Sequence, residues 1–410
     1  MKNLVAAIAL ISSAPLLAQT PADFQQDFEF ATQSIGEEYA YFDAKATRWN
    51  DIPSLYAEQL RAVKTRGDFV ALLEQVVDEI YDSHAQLNTN LPNSWRLVPS
   101  GTDLWAEWRE GGATITQVRE RSDAERAGIK AGSTIVAIDG VAIADAVEAR
   151  LGRSYDHKDK AARDWALRSV LAGRHNAKRT LQVRKGDTTR AIELPAPDQS
   201  WRGDALLESS EIRPGIGYIR VNDSLGDDAL IAEFDRALET HKQTRALIID
   251  LRNTASGGNS SVARGIIGRF VQRDLPYQKH VLPAEERETG VRRSWLELVS
   301  KRGDFVYTKP VYVLVNRWTG SMGEGIALGF DATRAATVVG TPMAQLLGAT
   351  TRISLPKTGI GINVPFEKLY HVNGKPREDY VPPVTVDVTK AAANQDPFVE
   401  AALRALASRK

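Results

Sequence analysis

Four residues of the chain could together do chemistry: Ser83 and His84 near the front, Ser321, and Glu378 towards the end. They amount to a nucleophile, a base beside a second hydroxyl, and a carboxylate. A serine hydroxyl is a poor nucleophile at neutral pH. It becomes useful when an imidazole takes its proton and fixed donors receive the oxyanion. Ser321 follows the apolar run Val311–Val315 and the turn-forming stretch Asn316–Gly320, so it falls at a strand-to-helix junction. There the positive end of a helix meets the hydroxyl, and the Met322 N–H can face a developing oxyanion. The blander role for a serine at such a junction is a helix N-cap. A strict Gly-x-Ser-x-Gly elbow is absent, because Thr319 stands at its first position, which disfavours an α/β-hydrolase.

The elements that must carry these residues are legible in outline. Over residues 21–80 the apolar positions Phe24, Phe28, Phe30, Ala31 and Ile35 recur at helical intervals, and 69–80 forms an amphipathic helix. It ends at Tyr81-Asp82-Ser83-His84, where Asp and Ser favour a turn. The alternative roles of His84 and Glu378 are a helix cap and a solvated loop carboxylate. Residues 205–410 alternate strand and helix patterns, with buried strands at 246–250 and 311–315 and a helix from Ser321 to Phe330; this implies an α/β layer architecture. Asp250-Leu-Arg-Asn-Thr-Ala-Ser-Gly-Gly258 follows the first buried strand, and its glycines permit close backbone approach with free N–H groups. Charged, weakly periodic residues from Arg273 to Asp304 suggest an excursion over the surface, with a lid as one form it could take. Trp95, Trp105 and Trp108 suit a core or domain contact better than a ligand cage.

Bulk properties narrow the classes. At 410 residues the chain exceeds one compact core, and its 43% hydrophobic and 25% charged content is that of an ordinary globular protein. Lys plus Arg and Asp plus Glu are 52 each, so no global field favours nucleic acid or anionic membrane. The first 18 residues, with Lys2, an apolar run Leu4–Ile11 and Leu16-Leu17-Ala18, have the form of a cleaved signal peptide rather than a membrane anchor. The chain has no cysteine, hence neither disulfide nor lipid attachment. A bacterial periplasmic or secreted protein is the expectation. The remaining histidines show no metal-ligand spacing and there is no Walker box, so neither metal nor nucleotide cofactor is expected.

Two sets of motifs carry a resemblance. Ser122 to Gly140 resembles a PDZ domain of bacterial proteases, with Asp123 and Ser133 where proline and aspartate are usual. That implies a groove that takes a peptide as an added strand, or a module that only positions the catalytic region. Asp82-Ser83-His84, this PDZ-like segment, Asp250-Leu-Arg-Asn with Gly257-Gly258, Thr319-Gly-Ser-Met-Gly-Glu324, and Gly374 to Pro382 occur in the order seen in tail-specific (carboxyl-terminal processing) and tricorn-core peptidases. The resemblance implies a crotonase/ClpP-like β-α superhelix core at 205–410, a PDZ domain with a helical insertion at 98–197 and a helical region at 20–97. In the lysine-dependent branch a "T-x-G-K-G" box follows; here Gly340–Gly348 holds no lysine. The resemblance therefore implies the tricorn-like tetrad: Ser321 as nucleophile, His84 as base, and Ser83 and Glu378 in support. Oxyanion donors would be the N–H groups of Met322 and of Gly257 or Gly258. Two departures are Gly320, Met322 and Gly323 in place of an alanine-rich nucleophile box, and one extra residue in Thr254-Ala-Ser256. The expected substrate is a peptide or unfolded protein; the rivals are a silent peptide- or lipid-binding protein on the same fold and an esterase.

Overall fold

The computed structural model describes residues 19–109, 112–196, 200–390 and 395–409; the expected signal peptide lies outside them. It is a mixed α/β structure with three sheets. In the sheet that leads to Ser321, Ala246–Asp250 and Val311–Val315 are adjacent parallel strands, continued by Ile216–Val221 on one side and Thr337–Gly340 on the other. Both central strands are buried at every position, the mark of a sheet covered on both faces. Leu247 and Ile249 point into a core beneath the helices Ala229–Thr240, Ser260–Ile267 and Met322–Ala332. Ile248, from the same strand, packs instead with Phe398, Ala401 and Ala402 of the helix Pro397–Ala407. Because the central strands are parallel, the loops after Asp250 and Val315 emerge side by side at their carboxyl ends, where α/β sheets place their ligands.

The second sheet is built around the long strand Gly361–Tyr370, which pairs with Gln86–Leu87, Ala349–Ser354 and Leu275–Leu282. Thr20 and Thr65 cap the helices Pro21–Glu38 and Arg66–Asp78 through capping boxes. Phe24, Phe28, Ile35, Phe69 and Leu73 of these helices share one core with Ile353, Ile362 and Val364. The N-terminal helices thus rest on strands from the other end of the chain, which holds the Ser83-His84 turn against the C-terminal region. Phe30, which fits the helical spacing, is 42% exposed.

The Arg273–Asp304 stretch is not an irregular excursion. It forms the antiparallel strands Leu275–Leu282 and Arg293–Val299, joined by a helix Pro283–Thr289. Arg293–Val299 is the sheet's edge and exposes Trp295, Leu296 and Leu298 together. An edge strand exposed on both faces has no hydrophobic alternation to read.

The third sheet has the order Leu104–Arg109, Gly112–Val118, Thr134–Ile138, Arg179–Lys185, Thr188–Leu194, with the helix Lys160–Ala172 packed upon it. Ser122 caps a short helix Asp123–Arg126, and Asp139-Gly140 turns with φ of 51° and 81°. Trp105 is buried beside Trp318, while Trp95 and Trp108 pack against this sheet's core.

Candidate active site

The two loops at the carboxyl ends of the central strands are bound to each other. Thr254 N–H donates to the Trp318 carbonyl (3.2 Å) and Gly320 N–H to the Thr254 carbonyl (3.2 Å), a short parallel bridge between Thr254 and Thr319. A Cβ on Gly320 would stand 2.7 Å from the Ala255 carbonyl oxygen, and one on Gly323 2.4 Å from Thr254 Oγ1. Glycine at 320 and 323 therefore lets the Thr254–Ser256 turn lie directly against the start of the helix that follows Ser321.

Ser321 initiates the helix Met322–Ala332 with φ 49° and ψ −111°, a conformation that a non-glycine residue holds only when its surroundings enforce it, at about 1–3 kcal/mol. Its neighbour across the loops is Gly257, at φ +68°; a Cβ there would lie 2.4 Å from Ser321 Cβ and 2.9 Å from its Oγ. Glycine at 257 thus lets the second loop come within contact of the hydroxyl. Among the described residues no acceptor takes the N–H of Met322 or of Gly258, whereas Gly257 N–H already donates to the Thr254 carbonyl at 3.1 Å. Of the three expected oxyanion donors, Gly257 is therefore engaged and the other two are free. Gly258 has its own constraint, since a Cβ would collide with the Leu225 carbonyl at 2.0 Å.

His84 follows a turn fixed by buried Asp82, which accepts from Tyr39 Oη (2.8 Å) and from the His84 N–H (2.9 Å). His84 Nδ1 lies 2.7 Å from the Leu347 carbonyl oxygen. A carbonyl only accepts, so Nδ1 carries the proton and Nε2 keeps its lone pair, the tautomer a general base needs. Burial holds this imidazole below its ordinary value, against the opposing pull of the Leu347 carbonyl. Glu378 is shifted the other way, raised chiefly by burial; its Oε2 is buried without a partner, and its backbone carbonyl accepts from Gln345 Nε2 at 3.0 Å. Ser83 lines a cavity with Trp95, Arg150 and Trp165. No hydrogen bond among the described residues joins Ser321 to His84, or Ser83 to His84 or Glu378.

What the structure brings together is a common support. Ser321, His84 and Glu378 each attach, directly or through one neighbour, to the segment Gln345–Gly348. Glu324 accepts from the Ser321 N–H (2.9 Å) and from the N–H groups of Gln345 (2.9 Å) and Leu346 (3.2 Å). Arg377 donates to the carbonyls of Leu346 and Gly348, each at 2.8 Å. Both side chains are buried, and burial pushes the Glu324 carboxyl up to about 7. Sequence reasoning assigned neither residue a role. Glu324 nonetheless closes the Thr319-Gly-Ser-Met-Gly-Glu324 motif, and Arg377 directly precedes Glu378.

The third sheet is docked onto the same loops. Gln117 Nε2 donates to Thr341 Oγ1 (2.7 Å), Arg317 pairs with Glu107 (2.7 Å), and Trp318 Nε1 donates to the Thr102 carbonyl (2.8 Å). Arg119 stacks on Trp201 with its guanidinium 3.2 Å from the ring centre and reaches Asn253 Oδ1.

Residues 215–389 match the model of peptidase family S41, and residues 20–78 match the tricorn protease C1 domain. Residues 215–389 thus resemble the peptidase domain of family S41. Along the sequence it is 24% identical over 339 residues to tricorn protease homolog 1 of Streptomyces coelicolor, covering 78% of this chain and 28% of that protein. It is 23% identical over 332 residues to the carboxy-terminal processing protease CtpB of Bacillus subtilis, covering 80% of this chain and 62% of that one. The chain thus spans less than two thirds of either relative. In fold it is similar to the photosystem II D1 C-terminal processing protease (TM-score 0.57, 17% identity, 95% and 98% of the two chains). Mature CPAF is similar to the same degree (TM-score 0.59, 16% identity, 94% and 96%). The S41 match encloses Ser321, Glu324, Gln345–Gly348 and Glu378, while His84 lies outside both matched segments.

Proposed function

We propose that this chain is a periplasmic or secreted serine endopeptidase that hydrolyses peptides or unfolded proteins through Ser321 and His84. The observation that carries the reading is the Ser321 turn: a left-handed serine at a helix start, pressed against Gly257, with the Met322 N–H unengaged beside it. In the reaction, His84 Nε2 takes the Ser321 hydroxyl proton as Oγ bonds to the scissile carbonyl carbon. Negative charge on the carbonyl oxygen is met by the Met322 and Gly258 N–H groups. The tetrahedral species collapses, His84 passes its proton to the leaving amine, and water repeats the sequence on the acyl-enzyme. Ser83 and Glu378 support the base side, and Glu378 Oε2, buried without a partner, is the atom free to accept the Ser83 hydroxyl. Catalytic hydrogen bonds commonly close only with substrate bound, which fits the open Ser321–His84 pair.

We assign 98–197 to a PDZ-like module and 205–410 to a crotonase/ClpP-like core. The short capped helix, the strand Thr134–Ile138 and the Asp139-Gly140 turn support the first; the parallel strands with intervening helices support the second. A peptide would enter this module along the edge strand Leu104–Arg109. Trp108 N–H there already donates to Asp164 of the helix Lys160–Ala172 at 3.1 Å, so peptide entry displaces that carboxylate. Movement near Trp105 would reach the nucleophile loop through Trp318. Export rests on the Lys2 and Leu4–Ile11 pattern, and no helix among the described residues is long and apolar enough to cross a membrane. Turnover of casein by the wild type, lost in S321A, tests the assignment; binding of unfolded protein without turnover would favour a silent peptide-binding protein.

A further inference from the structure

Glu324 sits three residues after Ser321, where a glutamate commonly reaches back to the N–H of the helix-capping residue. That role accounts for one of its contacts. The same carboxylate also receives two N–H groups from Gln345 and Leu346, 21 and 22 residues further along. Arg377 takes the opposite edge of that segment, donating to the carbonyls of Leu346 and Gly348, and its Nη1 reaches the Ser321 carbonyl at 3.4 Å. Between those two carbonyls lies that of Leu347, the acceptor that orients His84. The two side chains are 1% exposed or less and approach to 4.0 Å. Burying a carboxylate is costly unless its acceptor capacity is used, and a helix start needs no such group.

We infer that Glu324 and Arg377 form a positioning strut. It fixes the backbone of the nucleophile and the carbonyl that aims the general base in one frame, so that Ser321 and His84 keep their separation before substrate binds. Neither residue touches reacting atoms. Glu324 acts through the Ser321 N–H and the Gln345–Gly348 segment, and Arg377 through that segment's carbonyls. The charged groups facing Glu324 are Arg377 and, farther off, Arg317. Loss of the carboxylate's charge loosens the three N–H contacts at once, and burial brings that protonation up to about 7.

The inference rests on the serine-peptidase reading, and its test separates the two. Purified full-length protein is treated with a fluorophosphonate, and the labelling rate is followed by intact mass against pH. E324Q has nearly the same shape but sets an NH2 group against N–H donors. Its labelling rate and kcat should fall by about 10²-fold, the cost of roughly 1 Å of misplacement at a reacting pair. KM should stay within about threefold, since the strut acts on the turn and base rather than on substrate contacts. The acid limb of the rate should move from near 7 towards the lower value of His84, a change that mere loss of stability would not produce. R377K keeps the buried cation but loses the fork that spans two carbonyls; it should slow labelling at least tenfold, about 1.4 kcal/mol, and decides the matter if E324Q does not fold. Labelling of both variants within about threefold of wild type, with an unmoved pH profile, overturns the strut. A wild type that takes no label overturns the serine-peptidase reading, and the strut with it.

Discussion

Gly257→Ala probes the site at its closest approach. Two costs can be worked out separately. Gly257 has φ +68°, and an L-residue in that region loses about 1–2 kcal/mol. The added methyl would also lie 2.4 Å from Ser321 Cβ, whereas ordinary contact begins at 3.4 Å. One of the two groups must therefore retreat by about 1 Å, and displacement of that size at a reacting atom costs about 10²-fold in rate. The control is G140A: Gly140 has φ +81° with nothing within 4 Å of its Cβ, so it carries the backbone penalty alone. Thermal unfolding and fluorophosphonate labelling should diverge for the pair. Both variants lose the backbone penalty of about 1–2 kcal/mol, but only G257A also meets the clash with Ser321 and loses about two orders of magnitude in labelling and peptide turnover. Equal labelling rates for the two would refute the placement of Gly257 against the Ser321 hydroxyl.

Other expectations follow from the same geometry. Because burial lowers His84 below the ordinary 6.5, it is neutral in the folded protein at neutral pH. kcat/KM should therefore rise with pH as His84 and then Glu324, near 7, lose their protons. As pH falls below 6.5 the unfolded chain takes up the His84 proton before the folded one, so stability declines there; H84N should flatten that part of a denaturation series against pH. Arg252 is buried between Asp250 (2.6 Å), Asp396 (2.7 Å) and Glu120 (2.8 Å). R252M should cost about 3–5 kcal/mol in urea unfolding by stranding Asp250, and a loss under about 1 kcal/mol would show the network to be solvated. D164A frees the Trp108 N–H at the edge of the third sheet. If peptides enter there, it should tighten binding of a tail peptide measured on S321A protein, and unchanged affinity would place the peptide elsewhere.

How much of this was legible in the sequence varied with the kind of interaction. The strands Ala246–Asp250 and Val311–Val315 coincide with their expected bounds, because short apolar runs between turn residues have few alternatives. The helix after Ser321 was equally legible, since its capping and apolar run are local. Arg293–Val299 was not, because an exposed edge strand owes its form to its partner Leu275–Leu282. The serine, histidine and carboxylate could be singled out by chemistry and order. Their support could not: the contacts of Glu324 and Arg377 join positions 21 to 56 residues apart through backbone groups, which leave no trace in residue type. The engaged Gly257 N–H was hidden for the same reason, since a glycine advertises freedom without saying how its donor is used.

The most direct measurement is the intact mass of the purified protein and of its S321A variant after fluorophosphonate treatment. The account predicts a single adduct on the wild type, absent from S321A and strongly slowed in H84A. An unlabelled wild type, or an adduct that persists in S321A, would contradict Ser321 as the activated nucleophile.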